Sequence, residues 1–240
     1  IDIGDPWFGG TESLVIFDNV FVPWERVFLN GEWEFTSQLV RRFANYHRVI
    51  YGNKSALGDL IIGAAAQIAE HNGTANKEHI RDKLLEMVCL NETVYACGLA
   101  AASHGAQTPS GVWIDDAVLS NVTKINVTRN MYEIARLAEE IAGALLMTQP
   151  SEKDYRNPET TPYIEKYLKG VDGIPTEHRM RMLKLLENLT YGQGAVYLRF
   201  ESMHGAGSPG AQQVFLRRAF DMEAVKKLAR VTCGIEKKED

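Results

Sequence analysis

Three short stretches of this chain gather residue types that can move protons or hold an anion. The first is Tyr46-His-Arg-Val-Ile-Tyr-Gly-Asn-Lys54. His47 and Tyr51 stand four residues apart, so on a helix they share one face, with Arg48 beside them. An imidazole, a phenol and a cation together suit acid/base work on a bound substrate. The same pair also suits a packed contact between two helices. The second stretch is Glu201-Ser-Met-His-Gly-Ala-Gly-Ser-Pro-Gly210. Its glycines let a ligand approach the backbone, and the free N–H groups of the helix that follows favour an anion. Glu201 and His204 stand just before it. A tight helical hairpin would use the same residues, and no strand precedes them as a dinucleotide fingerprint requires. The third is Glu139-Glu-Ile-Ala-Gly-Ala-Leu145, where Gly143 near a helix end suits either helix packing or backbone approach by a ligand. Glu12, an acid before the first apolar run, is a fourth candidate. The six histidines form no HxxxH or HExxH pair, and the residue seven after His47 is Lys54, not a cysteine.

These residues need elements to hold them. Residues 13–17 and 20–22 are β-branched and aromatic around Asp18-Asn19, which predicts strand, turn, strand, ended by Pro23. A lone hairpin is marginal, so this segment is expected to belong to a sheet whose other strands lie outside the chain. From residue 31 the periodicity turns helical. Helices are expected over about 35–50, then 56–69 after a break at Gly52-Asn53, and then from caps at 74–76 to His104. Residues 105–111 read as loop. Further helices are expected over about 116–146, 163–168, 176–202 and 211–232, with 150–162 mostly loop and Pro175 at a helix start. Ala100-Ala-Ala102 suggests close approach of a neighbouring helix. Long helices on short loops make an antiparallel bundle.

Composition narrows the function class. A net charge of −5 with no long basic block argues against a nucleic-acid partner. No apolar run escapes polar interruption over a membrane-spanning length, so no transmembrane helix is expected. Residues 1–6 lack the basic start and apolar core of a secretion signal. Cys89, Cys97 and Cys233 form no CxxC pair and fit a reducing, cytoplasmic compartment. The Asn-x-Ser/Thr matches at Asn72, Asn91, Asn121, Asn126 and Asn188 read as chance.

Taken in order, the same segments resemble a known family. Glu12-Ser-Leu-Val-Ile-Phe-Asp-Asn-Val-Phe-Val-Pro-Trp-Glu-Arg26, Tyr46-His-Arg-Val-Ile-Tyr-Gly, Ile62-Gly-Ala-Ala-Ala, Ile141-Ala-Gly-Ala and Glu201-Ser-Met-His-Gly-Ala-Gly-Ser-Pro resemble motifs of the 4-hydroxybutyryl-CoA dehydratase / 4-hydroxyphenylacetate 3-hydroxylase family. The match runs over nearly the whole chain, and the last motif is its most specific part. The resemblance implies a mainly α fold over residues 31–240, a long antiparallel helix bundle of acyl-CoA dehydrogenase C-terminal-domain type. Residues 1–30 would be the terminal strands of a middle β-domain. It implies a homotetramer with FAD held between domains and a neighbouring subunit. The dehydratase converts 4-hydroxybutyryl-CoA to crotonyl-CoA with FAD and a [4Fe-4S] cluster, and some members isomerise vinylacetyl-CoA.

Carried over residue by residue, the resemblance makes His47 a cluster ligand and Tyr51 a catalytic tyrosine. It makes Glu12 and Glu201 proton-transfer acids, and it places Ile141, Ala142, Gly143 and Ala144 against flavin. The chain departs from the dehydratase pattern where a cluster cysteine would follow His47 by seven residues, because Lys54 stands there. The expected function is therefore a C-terminal fragment or subunit of a dehydratase-like flavoenzyme with an incomplete iron–sulfur site. A flavin-dependent aromatic hydroxylase component and a non-catalytic oligomerisation module are the alternatives. An N-terminal half is expected to supply most of the flavin site. The chain alone is expected to be inactive, to retain no FAD and to self-associate.

Overall fold

The computed structural model describes residues 13–237. Its helices are α1 Thr36–Val49, α2 Lys54–His71, α3 Glu78–Ser103, α4 Ala117–Ala142, α5 Leu145–Thr148, α6 Glu152–Arg156, α7 Thr161–Tyr167, α8 Thr176–Thr190, α9 Gln193–Ala195, α10 Glu201–His204, α11 Pro209–Ala219 and α12 Met222–Thr232. A two-stranded antiparallel hairpin, β1 Ala106–Gln107 with β2 Trp113–Ile114, links α3 to α4. The expected mainly helical bundle is what forms. Its centre is α4, which packs against α1, α2, α3, α8, α10 and α11. The α4 stripe at Val127, Met131, Ile134, Ala138 and Ile141 recurs at three or four residues and is buried. It meets Ile61, Ala65 and Ile68 of α2, Met87 and Val94 of α3, and Leu183, Leu186 and Leu189 of α8 in one core. Each such large side chain contributes about 1.5–3 kcal/mol by leaving water.

Several sequence expectations need correction. Residues 13–22 turn at Asp18-Asn19 as expected, Asn19 taking φ 50°, but pair into no strand ladder among the described residues. Leu14, Phe17 and Phe21 are exposed, and no neighbouring strand among the described residues satisfies the segment's backbone or covers its side chains. Gly52-Asn53 does not break the helical run; a 3-10 turn over Ile50–Asn53 carries it straight into α2. The cap of α3 is Lys77 and not one of residues 74–76, with Thr74 turned back onto the Ala69 carbonyl. The loop at 105–111 contains β1, pinned by Trp113 Nε1 donating to the Ala102 carbonyl at 3.0 Å. Gly143, at φ 75°, ends α4 before residue 146, because helical φ is negative. Within 150–162, Ser151 and Asp154 cap α6 reciprocally. The helix expected over 176–202 breaks at Tyr191-Gly192, and that over 211–232 breaks where Asp221 caps α12.

α3 is long and apolar enough to cross a bilayer by length and composition, and Asn91 and Glu92 are the polar interruption expected in any such run. It packs between α2 and α4, and Asn91 in its middle is buried, donating to Ser55 O and Asp59 Oδ1. Asn91, Asn121 and Asn188 are all buried, in keeping with chance matches to the glycosylation pattern.

The backbone of α3 comes close to a neighbouring element at Gly98, whereas in the alanine run Ala101 alone is buried. A Cβ on Gly98 would stand 2.9 Å from Gly52 Cα and 3.6 Å from the Val49 carbonyl oxygen. Both obstacles are backbone and cannot rotate aside. Gly98→Ala is therefore expected to cost about 2–3 kcal/mol. In a chain of this size that is a melting temperature lower by about 5–10 °C, read by circular dichroism.

Candidate functional site

Because the α1 run continues through the 3-10 turn into α2, His47, Tyr51 and Lys54 fall at spacings of four and three on one face. The His47 and Tyr51 rings lie 5.6 Å apart between centroids, with Phe43 edge-on to His47 on the other side. Tyr51 and Lys54 are buried, at 2% and 3% exposure. His47 is half-buried, and its Nδ1 finds no hydrogen-bond partner among the described residues.

Glu201 arrives from the far end of the chain. A π-helical turn over Val196–Phe200 precedes α10 and re-phases the helix so that Glu201 faces Tyr51. The Tyr51 hydroxyl donates a short hydrogen bond to Glu201 Oε1, and Lys54 Nζ pairs with Glu201 Oε2 at 2.7 Å. Phenol, carboxylate and ammonium thus form one chain. Glu201 is its most exposed member, with a fifth of its side chain open. Burial by itself would raise the Glu201 carboxyl. The hydrogen bonds from Lys54 and Tyr51 and the charges of Lys54 and Lys124 outweigh it and hold the carboxyl below its ordinary value.

Two further cations complete the cluster. Arg48 is buried, donating from Nε to the Ala206 carbonyl at 3.1 Å and from a guanidinium NH2 group to Asn121 Oδ1 at 2.7 Å, and it lies over the Phe215 ring. Ala206 holds its carbonyl there at φ 58°, a strained value for a residue with a side chain. Lys124 was not anticipated. Its side chain is fully buried on α4, with Nζ 3.8 Å from the centre of the Tyr51 ring and donating to the Ser202 carbonyl. Burial, helped by repulsion from Lys54 and Arg48 and opposed by Glu201, brings its amine down to about 7. One signal in the sequence could have found it: residues 124, 127, 131 and 134 lie on the buried stripe of α4, and a lysine there is out of place.

The other candidates do not join this cluster. His204 is exposed. The N-terminus of α11 is capped by Ser208 Oγ accepting from Ala211 N. Glu12 lies outside the described residues. Ile141 and Ala142 are buried in the core, while Gly143 and Ala144 are exposed on a cleft of about 480 Å³ with Arg136, Glu139, Leu146, Met147 and Tyr191. Lys124 and Ala142 stand eighteen positions apart on α4, so these two places lie about 27 Å apart along it. The open backbone at Gly143, where a Cβ would meet nothing within 4 Å among the described residues, fits contact with part of a flavin.

An iron–sulfur cluster does not fit the residues about His47. Such a cluster takes four ligands, usually thiolates. Among the described residues no group of three His, Cys, Asp or Glu stands together, and Cys89 and Cys233 are exposed. Cys97 instead accepts from Asn126 Nδ2 at 3.4 Å, and an ammonium holds the position seven after His47.

The family described as 4-hydroxyphenylacetate 3-hydroxylase C terminal matches residues 36–234. The chain is 47% identical over 98% of its length to the 4-hydroxybutyryl-CoA dehydratase/vinylacetyl-CoA-Delta-isomerase of Clostridium aminobutyricum, covering 50% of that protein. It is 28% identical over 91% of its length to the 4-hydroxyphenylacetate 3-monooxygenase oxygenase component of Thermus thermophilus, covering 46% of it. Among solved structures, an oxygen-tolerant archaeal 4-hydroxybutyryl-CoA dehydratase from N. maritimus superposes with a TM-score of 0.93 at 50% identity, over all of this chain and 48% of the other. The oxygenase component of 4-hydroxyphenylacetate 3-monooxygenase, complexed with FAD and 4-hydroxyphenylacetate, superposes at 0.78 with 25% identity, over 90% of this chain and 46% of the other. The acyl-CoA dehydrogenase-like helical architecture expected from the motifs is the one these structures share. The chain spans about half the length of the relatives it matches. Matched across most of its length, it belongs to the 4-hydroxyphenylacetate 3-hydroxylase C-terminal family, whose members include dehydratases and monooxygenases.

Proposed function

We propose that this chain is the C-terminal half of a flavin-dependent enzyme that dehydrates or isomerises C4 acyl-CoA thioesters, with proton transfer centred on Glu201. The observation that carries the reading is the connected chain of Tyr51 hydroxyl, Glu201 carboxylate and Lys54 ammonium beside His47. Moving a double bond from the β,γ to the α,β position requires a base to take a proton at the α-carbon and an acid to return one at the γ-carbon. Glu201, ionised and partly open, is the carboxylate placed to take the proton. The Tyr51 hydroxyl and Lys54 stabilise its charge, and the half-buried His47 imidazole stands at the edge of the same group. A bound flavin would supply the electron transfer that dehydration at an unactivated carbon needs, and Gly143 and Ala144 would be among its contacts. Their separation along α4 from Lys124, which lies over the Tyr51 ring, supports a flavin shared between copies of the chain, in a homotetramer.

The second reading, a flavin-dependent hydroxylase acting on phenols, is favoured by Lys54 in place of a thiolate. The full-length protein, reconstituted with FAD, decides between them. Conversion of 4-hydroxybutyryl-CoA or vinylacetyl-CoA to crotonyl-CoA, followed by chromatography, is the expected result. Oxygen uptake with reduced flavin and 4-hydroxyphenylacetate, and no acyl-CoA conversion, would transfer the assignment to the hydroxylases.

A further inference from the structure

Lys124 is a member of the cluster that the proton transfer assigned above does not use. Its amine lies over the Tyr51 ring and donates to the Ser202 carbonyl, one residue after Glu201. That carbonyl also accepts from Thr128 Oγ1 at 3.0 Å, so the backbone there stays satisfied without the lysine. A methionine would fill the same space without the cost of burying an ammonium. A buried cation set against two reactive groups, at a carbonyl that has a second donor, points to a role in chemistry.

The charged and titratable groups that face Lys124 come from four elements: Arg48 on α1, Tyr51 on the 3-10 turn, Lys54 on α2 and Glu201 on α10. A cation this close to the phenol and carboxylate stabilises a second negative charge beside Glu201, such as a tyrosinate or the enolate of a bound thioester. A neutral amine does not.

We propose, resting on the reading of Tyr51 and Glu201 above, that Lys124 is a positioning residue for the reaction. Its charge, held over one face of the phenol, governs whether the Tyr51–Glu201 pair can carry that second negative charge. The ammonium is then the working form. With an amine near 7, activity is full on the acid side of that value and declines above it.

The test uses the full-length enzyme with Lys124→Met and Lys124→Arg. Lys124→Met is expected to lose about 100-fold in kcat with KM changed by less than about threefold, and to lose the decline in activity near neutral pH. Lys124→Arg, permanently charged, is expected to hold its activity to higher pH than the wild type. Wild-type kcat and an unchanged pH profile in Lys124→Met would overturn the proposal.

If the wild type turns over neither acyl-CoA esters nor phenols, the function proposed above fails by itself, and thermal melting then judges the lysine. The folded amine titrates near 7 and the unfolded one near 10.5, so the unfolded chain holds the extra proton between those values and stability rises with pH across that window. Lys124→Met is expected to melt higher than wild type at neutral pH and to lack that rise. A variant that melts lower and keeps the slope would make Lys124 a structural tether and overturn the proposal.

Discussion

Replacing Gly205 by alanine is expected to reduce turnover of the full-length enzyme by about 100-fold, because a displacement of about 1 Å in a positioned group costs that much. Gly205 adopts φ −60° and ψ 144°, open to any residue, so alanine meets no backbone penalty. The space is the difficulty. A Cβ there would stand 1.8 Å from the Tyr51 hydroxyl oxygen, 2.6 Å from Glu201 Oε1 and 2.8 Å from the Glu201 carbonyl oxygen. The phenol cannot retreat, because its ring is buried with the Lys124 amine over it. The loop cannot lift freely either, since Gly205 N donates to the Glu201 carbonyl at 2.7 Å. The methyl group must therefore separate phenol from carboxylate. Overpacking of this kind also costs about 1–3 kcal/mol of stability. Gly210→Ala is the control in the same segment, where a Cβ would meet only Ser208 Oγ at 3.8 Å. Steady-state kinetics and melting curves on the two variants check the prediction: loss in the first, near-wild-type values in the second.

Glu201→Gln carries the second large effect. The amide keeps the shape and removes the charge that faces Lys54 at 2.7 Å. Breaking a buried pair by removing one partner costs about 3–5 kcal/mol, and about 2–3 kcal/mol is expected here because a fifth of Glu201 is exposed and screened by water. Activity is expected to fall by about 10²–10⁴-fold with the base gone. The stability difference has a definite pH dependence. The folded carboxyl lies below its ordinary value, so its contribution is full above the ordinary carboxylate range and is lost as pH falls through the folded value. Wild type and Glu201→Gln are expected to converge in stability in acid, as measured by urea unfolding across pH.

How much of this was written in the sequence differs from part to part. The bundle was legible because α4 and α8 repeat apolar residues at helical spacing, and that pattern survives any error in their ends. His47 and Tyr51 were legible by their spacing of four. Lys54 was placed beyond a break, because Gly52-Asn53 reads as helix-ending punctuation. In the fold, close packing of Gly52 on Gly98 leaves room only for glycine, and the backbone stays helical. The meeting of Glu201 with Tyr51 joins residues 150 apart, and no local pattern encodes it. The π turn that aims Glu201 has no sequence signature of its own. Residues 13–22 have a strand composition, but strand formation depends on partners, and none is found among the described residues.

The claim at the centre of this account is that Glu201, ionised and held by Tyr51 and Lys54, moves the substrate proton. The most direct measurement is the rate of vinylacetyl-CoA isomerisation to crotonyl-CoA by full-length wild type and Glu201→Gln at neutral pH. Steady conversion by the wild type is expected, with a rate at least about 100-fold lower for the variant and its fold retained by circular dichroism. Conversion by Glu201→Gln at the wild-type rate would contradict it.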